Sequence, residues 1–249
     1  MKIPLQKPKA IFFDFDETLA ANRIPIRNLF AQMYHQYTEQ LGEENQDDFF
    51  TALRENAGRL WNSMFETQKS PESQLINCFT DSILSLNIMK EHSASQLAET
   101  MFNKFIELSV NNVRLQHDTL ETLAELNANG FVTGIITNGI EQVQLSKIHS
   151  LDLHNKVDHL IVSAHARAHK PHAKVFNLAL DKAGVNADQA WQVGDHPTND
   201  VAGAIRAGLS GVYYNPNNLL LEDMFTELKE SPTHVVKELN EVVSLALNS

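Results

Sequence analysis

The apolar residues of this chain fall into two kinds of pattern. Ala10-Ile11-Phe12-Phe13 is a short unbroken apolar run, the signature of a strand buried on both faces in a parallel sheet. From about Ala21 to Val113 the spacing turns helical, with no strand signal and with glycine only at Gly42 and Gly58. Leu29, Met33, Tyr37 and Leu41 recur every four residues and form one apolar stripe that stops at Gly42, a natural helix C-terminus. Phe49, Phe50, Leu53, Leu60 and Trp61 mark a second helix. Ser70 as N-cap, with Pro71 at the first helical position, starts a third that carries Leu75, Cys78, Phe79, Ile83 and Leu86. A fourth opens at Ser93 or Ser95 and runs through Leu97, Met101, Phe105 and Leu108. The acidic run from Glu43 to Asp48 reads as a solvated connection.

After Val113 strands and helices alternate. Thr119 to Asn129 reads as a helix ended by Gly130, Phe131 to Thr137 as a strand, Glu141 to Ile148 as a helix and His159 to Ser163 as a strand. Ala173 to Ala183 is a helix closed by Gly184; Ala190 to Gly194, Val201 to Ala207 and Gly211 to Tyr214 then read as strand, helix and strand, with a last unit from His234 to Leu247. Such alternation predicts an α/β fold, a doubly wound, Rossmann-like parallel sheet wrapped by helices on both faces. Residues 1–20 and 114–249 would form this core. Residues 21–113 would be an all-helical domain inserted just past the carboxyl end of the first strand, above whatever site that strand carries.

At 249 residues the chain accommodates such a core plus a smaller unit. A formal net charge of −11 speaks against a general affinity for nucleic acid or anionic membrane, though not against a small anion held in a locally positive pocket. The single cysteine, Cys78, cannot make an internal disulfide, the first eight residues lack the apolar core of a secretion signal, and no apolar run is long enough to span a bilayer. The expectation is a cytoplasmic protein.

Candidate chemistry begins where the first strand ends. If the backbone stayed extended through Asp16, Asp14 and Asp16 would share a face, and two acids that close resist ionising together unless a cation sits between them. A hard divalent cation such as Mg2+ could hold Asp14 as an anion ready to attack an electrophile, leaving Asp16 to act as general acid. The same acids also fit a simple cap on the turn after a strand.

Three more groups lie at strand ends. Thr137-Asn138-Gly139 precedes a helix and could offer hydroxyl and backbone N–H groups to phosphate, or could be ordinary helix-start chemistry. Lys170, before Pro171, could stand beside Asp14 as a fixed positive charge or lie at the surface. Asp195 leaves an apolar strand ending in Gly194 and could join Asp14 on a metal, with Asn199 and Asp200 in support or as helix caps.

Taken together, Asp14-Phe15-Asp16-Glu17-Thr18-Leu19, Thr137-Asn138-Gly139, Lys170-Pro171 and Gly194-Asp195 with Asp200 resemble, in order, the four motifs of the haloacid dehalogenase (HAD) superfamily of hydrolases. The resemblance covers the whole chain, the helical insertion looking like the α-helical cap of a subfamily rich in small-molecule phosphatases. It implies that Asp14 is a nucleophile forming an aspartyl-phosphate, that Asp16 protonates the leaving alcohol and then activates water, and that Thr18 holds the following flap and keeps Asp16 in place. Thr137 with the Asn138 and Gly139 backbone would bind phosphoryl oxygens, and Lys170 would neutralise Asp14 and the transferring group. Mg2+ would be held by Asp14, the backbone carbonyl of Asp16 and Asp195, with Asp200 supporting.

Asp16 disfavours dehalogenation, because displacing halide from carbon needs no proton donor. A phosphomutase would also have to exclude water between half-reactions, and nothing in the sequence shows that. The expected activity is therefore Mg2+-dependent hydrolysis of a small phosphorylated metabolite, a nucleotide, flavin-pathway or sugar phosphate. A non-enzymatic phosphoacceptor or regulatory binding module is the alternative. Asn22, Arg23, Arg27, Tyr34, Arg59, Trp61 and Asn62 are candidate leaving-group contacts. His165, His169, His172 and His196 invite a second metal site, but no cysteine joins them and their spacing defines no zinc site; His169 and His172 could line the pocket by flanking Lys170. The sequence does not fix the oligomeric state, monomer or dimer.

Overall fold

The computed structural model describes residues 7–249, which divide into two compact units. The first takes the chain up to Ala21 together with Arg114–Gly139 and Ile148–Ser249; the second takes Asn22–Val113 and Ile140–Lys147.

The first unit is built on a six-stranded sheet: β1 (Ala10–Phe13), β4 (Val132–Thr137), β5 (His159–Val162), β6 (Ala190–Gly194), β7 (Ser210–Tyr214) and β8 (His234–Val236). Its order is β5-β4-β1-β6-β7-β8, and every neighbouring pair is parallel. The apolar run that opens the chain is thus central, fully buried between β4 and β6. Phe12 packs with Ile136, Ile161 and the apolar stripe Val175, Phe176 and Ala179 of helix α9 (Ala173–Ala183). Ile11 and Phe13, on the opposite face of the strand, are equally buried. From β1 the chain winds outward through β4 to β5, then returns to the other side of β1 for β6, β7 and β8. The reversal of winding puts a crevice at the carboxyl ends of β1 and β6, where doubly wound sheets hold their ligands.

The second unit is helical: α1 (Ile26–His35), α2 (Thr38–Leu41), α3 (Gln46–Ser63), α4 (Pro71–Leu84) and α5 (Glu91–Asn112). The stripe Leu29, Met33, Tyr37 and Leu41 is buried throughout, but its helix breaks between α1 and α2 and ends at Gly42 with φ of 81°. Ser70 caps α4 by accepting from Ser73 N, with Pro71 in the first turn. Phe30 stacks on Phe105 at 4.9 Å and meets Phe79 edge-on at 6.3 Å.

The structure differs from the sequence reading at several boundaries, and Ile140–Lys147, expected in the core, groups with the helical unit. Helix α5 starts at Glu91, ahead of either serine, because an acidic residue in the first turn suits the positive end of the helix dipole. Only Glu43–Asn45 of the acidic run is a connecting turn; Asp47 and Asp48 form the start of α3 for the same electrostatic reason. Two short strands, β2 (Ala20–Asn22) and β3 (Val113–Leu115), pair where no strand was read, each too short to show a period. Finally, Pro197–Ala202 is a π-helical turn, with Val201 N reaching His196 O, before a brief α-helix over Gly203–Arg206. No helix is long and apolar enough to cross a membrane.

The aromatic cluster carries much of the second unit's packing. Phe79→Ala, at a position with no exposed surface, is expected to destabilise the protein by about 3–5 kcal/mol, read from urea unfolding of the two proteins side by side.

Candidate active site

The ladder between β1 and β6 runs on to Asp14, whose N–H donates to Val193 O at 2.8 Å. There the chain stops being extended. Phe15 O accepts from both Leu19 and Ala20, Glu17 takes φ of 62°, and Asp16 bridges to Ala20. The expectation that Asp14 and Asp16 share a strand face therefore fails, because the turn begins one residue too early. Asp14 is buried and Asp16 half-buried. The acids that do gather around Asp14 come from far along the chain: one carboxylate oxygen each from Asp14, Asp195 and Asp200 lie within 4.8 Å of one another.

Lys170 is buried at the centre of this cluster. Its Nζ donates to Asp14 Oδ1 at 2.6 Å, to Asp200 Oδ1 at 2.5 Å and to Ile136 O at 2.7 Å. Asp200 is in turn fixed by three elements, since Gln192 Nε2 donates to Oδ1 at 3.3 Å and His196 N to Oδ2 at 3.1 Å. Gln192 lies mid-strand in β6 with no exposed surface, a buried polar side chain that an apolar-looking run conceals. Gly194 makes room for this arrangement: a Cβ there would lie 2.3 Å from Asp200 Cγ. Thr18 reaches Asp195, donating to Oδ1 at 3.4 Å and accepting from its N–H at 3.2 Å, so the turn after β1 is tied to the end of β6.

The electrostatics are those of too many acids for one base. Burial raises the Asp14 pKa well above the usual carboxylate range; Lys170 opposes this and Asp200 adds to it. Burial, then Asp200, pushes Asp195 up to about 6. Burial alone would discharge Lys170, but Asp14 and Asp200 outweigh it and hold the ammonium firmly charged. Three ionised carboxylates around one ammonium leave two negative charges in a closed space. An all-oxygen set with that excess fits a hard dication such as Mg2+, which would bring the cluster to neutrality.

The Thr137-Asn138-Gly139 loop follows β4, next to β1. Thr137 is buried, and Asn138 pairs reciprocally with the Lys170 backbone, accepting from its N–H at 2.8 Å and donating to its carbonyl at 3.0 Å. Gly139 N–H donates to Ser163 Oγ at 3.2 Å. Ser163, just past β5, was missed by the sequence reading, which placed it at the end of a strand and gave it no role.

The histidines do separate jobs. His196 Nδ1 accepts from Thr198 and Asn199 N–H groups, capping the π turn; His172 caps α9 through Lys174 N; His165 accepts from Val162 N. His169 Nδ1 meets Ser163 Oγ at 3.2 Å. Asn22, Arg23, Arg27, Tyr34, Arg59, Trp61 and Asn62 all belong to the second unit. Within it Tyr34 is a core residue whose hydroxyl donates to Gly42 O, Arg59 donates to Asn56, Asn22 accepts from Asn112, and Arg23, Arg27, Trp61 and Asn62 are exposed.

A profile of the haloacid dehalogenase-like hydrolases matches residues 11–213. A glyceraldehyde 3-phosphate phosphatase of Pyrococcus furiosus is 33% identical over 125 residues, 50% of this chain and 51% of that protein, so the chain spans about half the length of that relative. The 5-amino-6-(5-phospho-D-ribitylamino)uracil phosphatase YigB of Escherichia coli is 28% identical over 222 residues, 86% of this chain and 87% of that one. Among solved structures, a 2-haloacid dehalogenase from Pseudomonas syringae superposes with a TM-score of 0.78 at 24% identity, covering 97% of this chain and 98% of that one. A magnesium-bound HAD-hydrolase from Bacillus subtilis does so at 0.63 and 18% identity, covering 97% and 99%. At such identities the two structures speak for the fold alone.

Two outcomes test the cluster. Because the Asp195 pKa is raised in the folded protein, the metal-free native state binds more protons than the unfolded chain between about pH 4 and 6, and its stability falls as pH rises through that window. Mg2+ held at Asp195 would have to displace that proton, so the gain in Tm on adding Mg2+ is expected to be small near pH 5 and to grow as pH passes about 6. A gain that is the same on both sides of this range would take Asp195 out of the metal site. Gly194→Ala is expected to cost about 1–3 kcal/mol in urea unfolding, since Asp200 must move off Lys170 to admit the methyl group.

Proposed function

The chain belongs to the haloacid dehalogenase-like hydrolases, and from that premise we propose that it is a Mg2+-dependent phosphomonoesterase of small metabolites, with Asp14 as its nucleophile. The single observation that carries the reading is the buried Lys170 ammonium held between Asp14 and Asp200, with Asp195 beside them. An attacking carboxylate needs its charge kept and its position fixed, and one lysine does both. When bound, Mg2+ would be held by Asp14 and Asp195, with the Asp16 carbonyl as a further oxygen and Asp200 in support, and would supply charge neutralisation to the phosphoryl group.

In the first half-reaction an Asp14 carboxylate oxygen bonds to phosphorus as the bond from phosphorus to the ester oxygen breaks. Asp16, two residues along the turn, gives its proton to the departing alkoxide. In the second half-reaction Asp16 takes a proton from water, the water oxygen bonds to phosphorus, and Asp14 is released with inorganic phosphate. The Thr137 hydroxyl and the Asn138 backbone N–H are the donors this loop would aim at phosphoryl oxygens, the Gly139 N–H being engaged by Ser163. Lys170, through Asp14 and through its own charge, lowers the repulsion between nucleophile and substrate. A proton donor at Asp16 favours ester cleavage over halide displacement, which needs none.

The relatives named for glyceraldehyde 3-phosphate and for 5-amino-6-(5-phospho-D-ribitylamino)uracil support sugar phosphates and flavin-pathway phosphates as the first compounds to try. With Mg2+ and a panel of these plus nucleoside monophosphates, phosphate release is expected from wild type. Asp14→Asn, folded as judged by circular dichroism, should lose about 10³-fold or more in kcat. A wild-type protein inert across the panel would refute the phosphatase reading. A stable phosphorylated Asp14 without turnover would replace it with a phosphoacceptor role.

A further inference from the structure

We propose that Ser163 is a positioning residue for phosphoryl binding, fixing the Thr137-Asn138-Gly139 loop through the Gly139 amide, with His169 as the group that fixes Ser163. The inference rests on the reading of that loop as the phosphate site and adds to it residues from outside the four motifs.

The placement follows from the sheet. In the pairing of β4 with β5, Thr137 stands opposite Val162, so the first residue past each strand, Asn138 and Ser163, leave the sheet side by side. Ser163 is wholly buried. Its hydroxyl meets three atoms: Gly139 N at 3.2 Å, Gly139 O at 3.4 Å and His169 Nδ1 at 3.2 Å. A hydroxyl has one proton and accepts through its lone pairs, so these contacts have a direction. Gly139 N–H donates to Oγ, and the hydroxyl either donates to His169 Nδ1 or accepts from it and donates to Gly139 O, according to the imidazole tautomer; in both cases Oγ remains the acceptor of the Gly139 amide. Burial lowers the His169 pKa and so favours the neutral imidazole, which offers Ser163 one ring nitrogen in either tautomer.

The consequence is a double tie between two loops. Asn138 grips the Lys170 backbone through both atoms of its amide, and Gly139 is held through Ser163 by the residue immediately before Lys170. The hydroxyl and N–H groups that would face the phosphate and the lysine that faces the nucleophile are therefore set relative to each other before any ligand arrives. Without the Ser163 acceptor, a buried Gly139 N–H loses its partner, and the turn must distort to find another. Donors aimed at a transition state lose their effect with small misplacements, so the loss should appear in binding of a trigonal-bipyramidal anion.

Orthovanadate is the probe, its dissociation constant measured by calorimetry on the full-length Mg2+-loaded protein, with kcat/KM on the best panel substrate beside it and urea unfolding as the control for fold. Ser163→Ala is expected to weaken vanadate binding and lower kcat/KM by about 10-fold or more, and Ser163→Thr, which keeps the hydroxyl, to restore most of both. His169→Leu, which leaves the serine in place but removes its ring partner, should show a smaller loss in the same direction, and it serves if Ser163→Ala does not fold. Vanadate affinity unchanged in a folded Ser163→Ala protein, or in His169→Leu where that variant stands in for it, overturns the inference while leaving the phosphatase reading intact. Wild type that binds vanadate without hydrolysing any ester overturns the phosphatase reading alone, and wild type that does not bind vanadate overturns both.

Discussion

The site at the end of the central strand depends on one ammonium group that is buried and stays charged. Lys170 Nζ has three donors and three acceptors, two of them carboxylates and one a backbone carbonyl of β4. A buried lysine without such partners would gain by losing its proton, since desolvation penalises the charged form. The acceptors arrive from three strands: Asp14 from β1, Ile136 from β4, and Asp200 from the turn after β6. The interaction is thus a statement about topology as much as about charge. The sheet, by placing β1 between β4 and β6, brings those groups to one atom.

The two carboxylates on the lysine are not equivalent. Asp200 has its oxygens engaged by Lys170, Gln192 and the His196 N–H, and Gly194 lacks a side chain where Asp200 lies. That is the environment of a fixed counter-charge. Asp14 stands at the strand end with its N–H still in the ladder, and Asp195 is held by Thr18 at the rim of the same cluster. Division of this kind lets one acid carry the structural burden of neutralising the lysine while the others keep the excess negative charge that a dication answers.

Much of this was legible in the sequence because the strands are short apolar runs with the chemistry placed directly after them. Asp14, Thr137, Lys170 and Asp195 were readable as strand-end residues, and the cap at Ser70 and the stop at Gly42 follow from local chemistry alone. What was hidden depends on pairing between distant segments. The shared face of Asp14 and Asp16 assumed a strand that continues, whereas the backbone turns at Phe15 because Leu19 and Ala20 donate back to it. Gln192 reads as a polar interruption until Asp200 is seen against it, and Ser163 as a strand terminus until the register of β4 and β5 sets it beside Asn138. The π turn at Pro197–Ala202 has no period to betray it, yet it is what brings the Asp200 carboxylate back to the His196 N–H.

The two units differ in what holds them, and this bears on which part of the function each can vary. In the first unit Lys170, Asp14 and Asp200 are locked in mutual hydrogen bonds, where removing one partner leaves another stranded. Its chemistry is accordingly hard to change without loss of the whole cluster. The helical unit is stabilised by a cluster of aliphatic and aromatic side chains, among them Phe30, Phe79 and Phe105, whose requirement is volume rather than a particular donor or acceptor. Cores of that type tolerate substitution as long as they stay filled, so the exposed positions above them, such as Arg23, Arg27 and Trp61, can change while the helices remain. Relatives that share the fold can therefore differ in what they act upon, and family likeness in the first unit does not by itself carry a substrate.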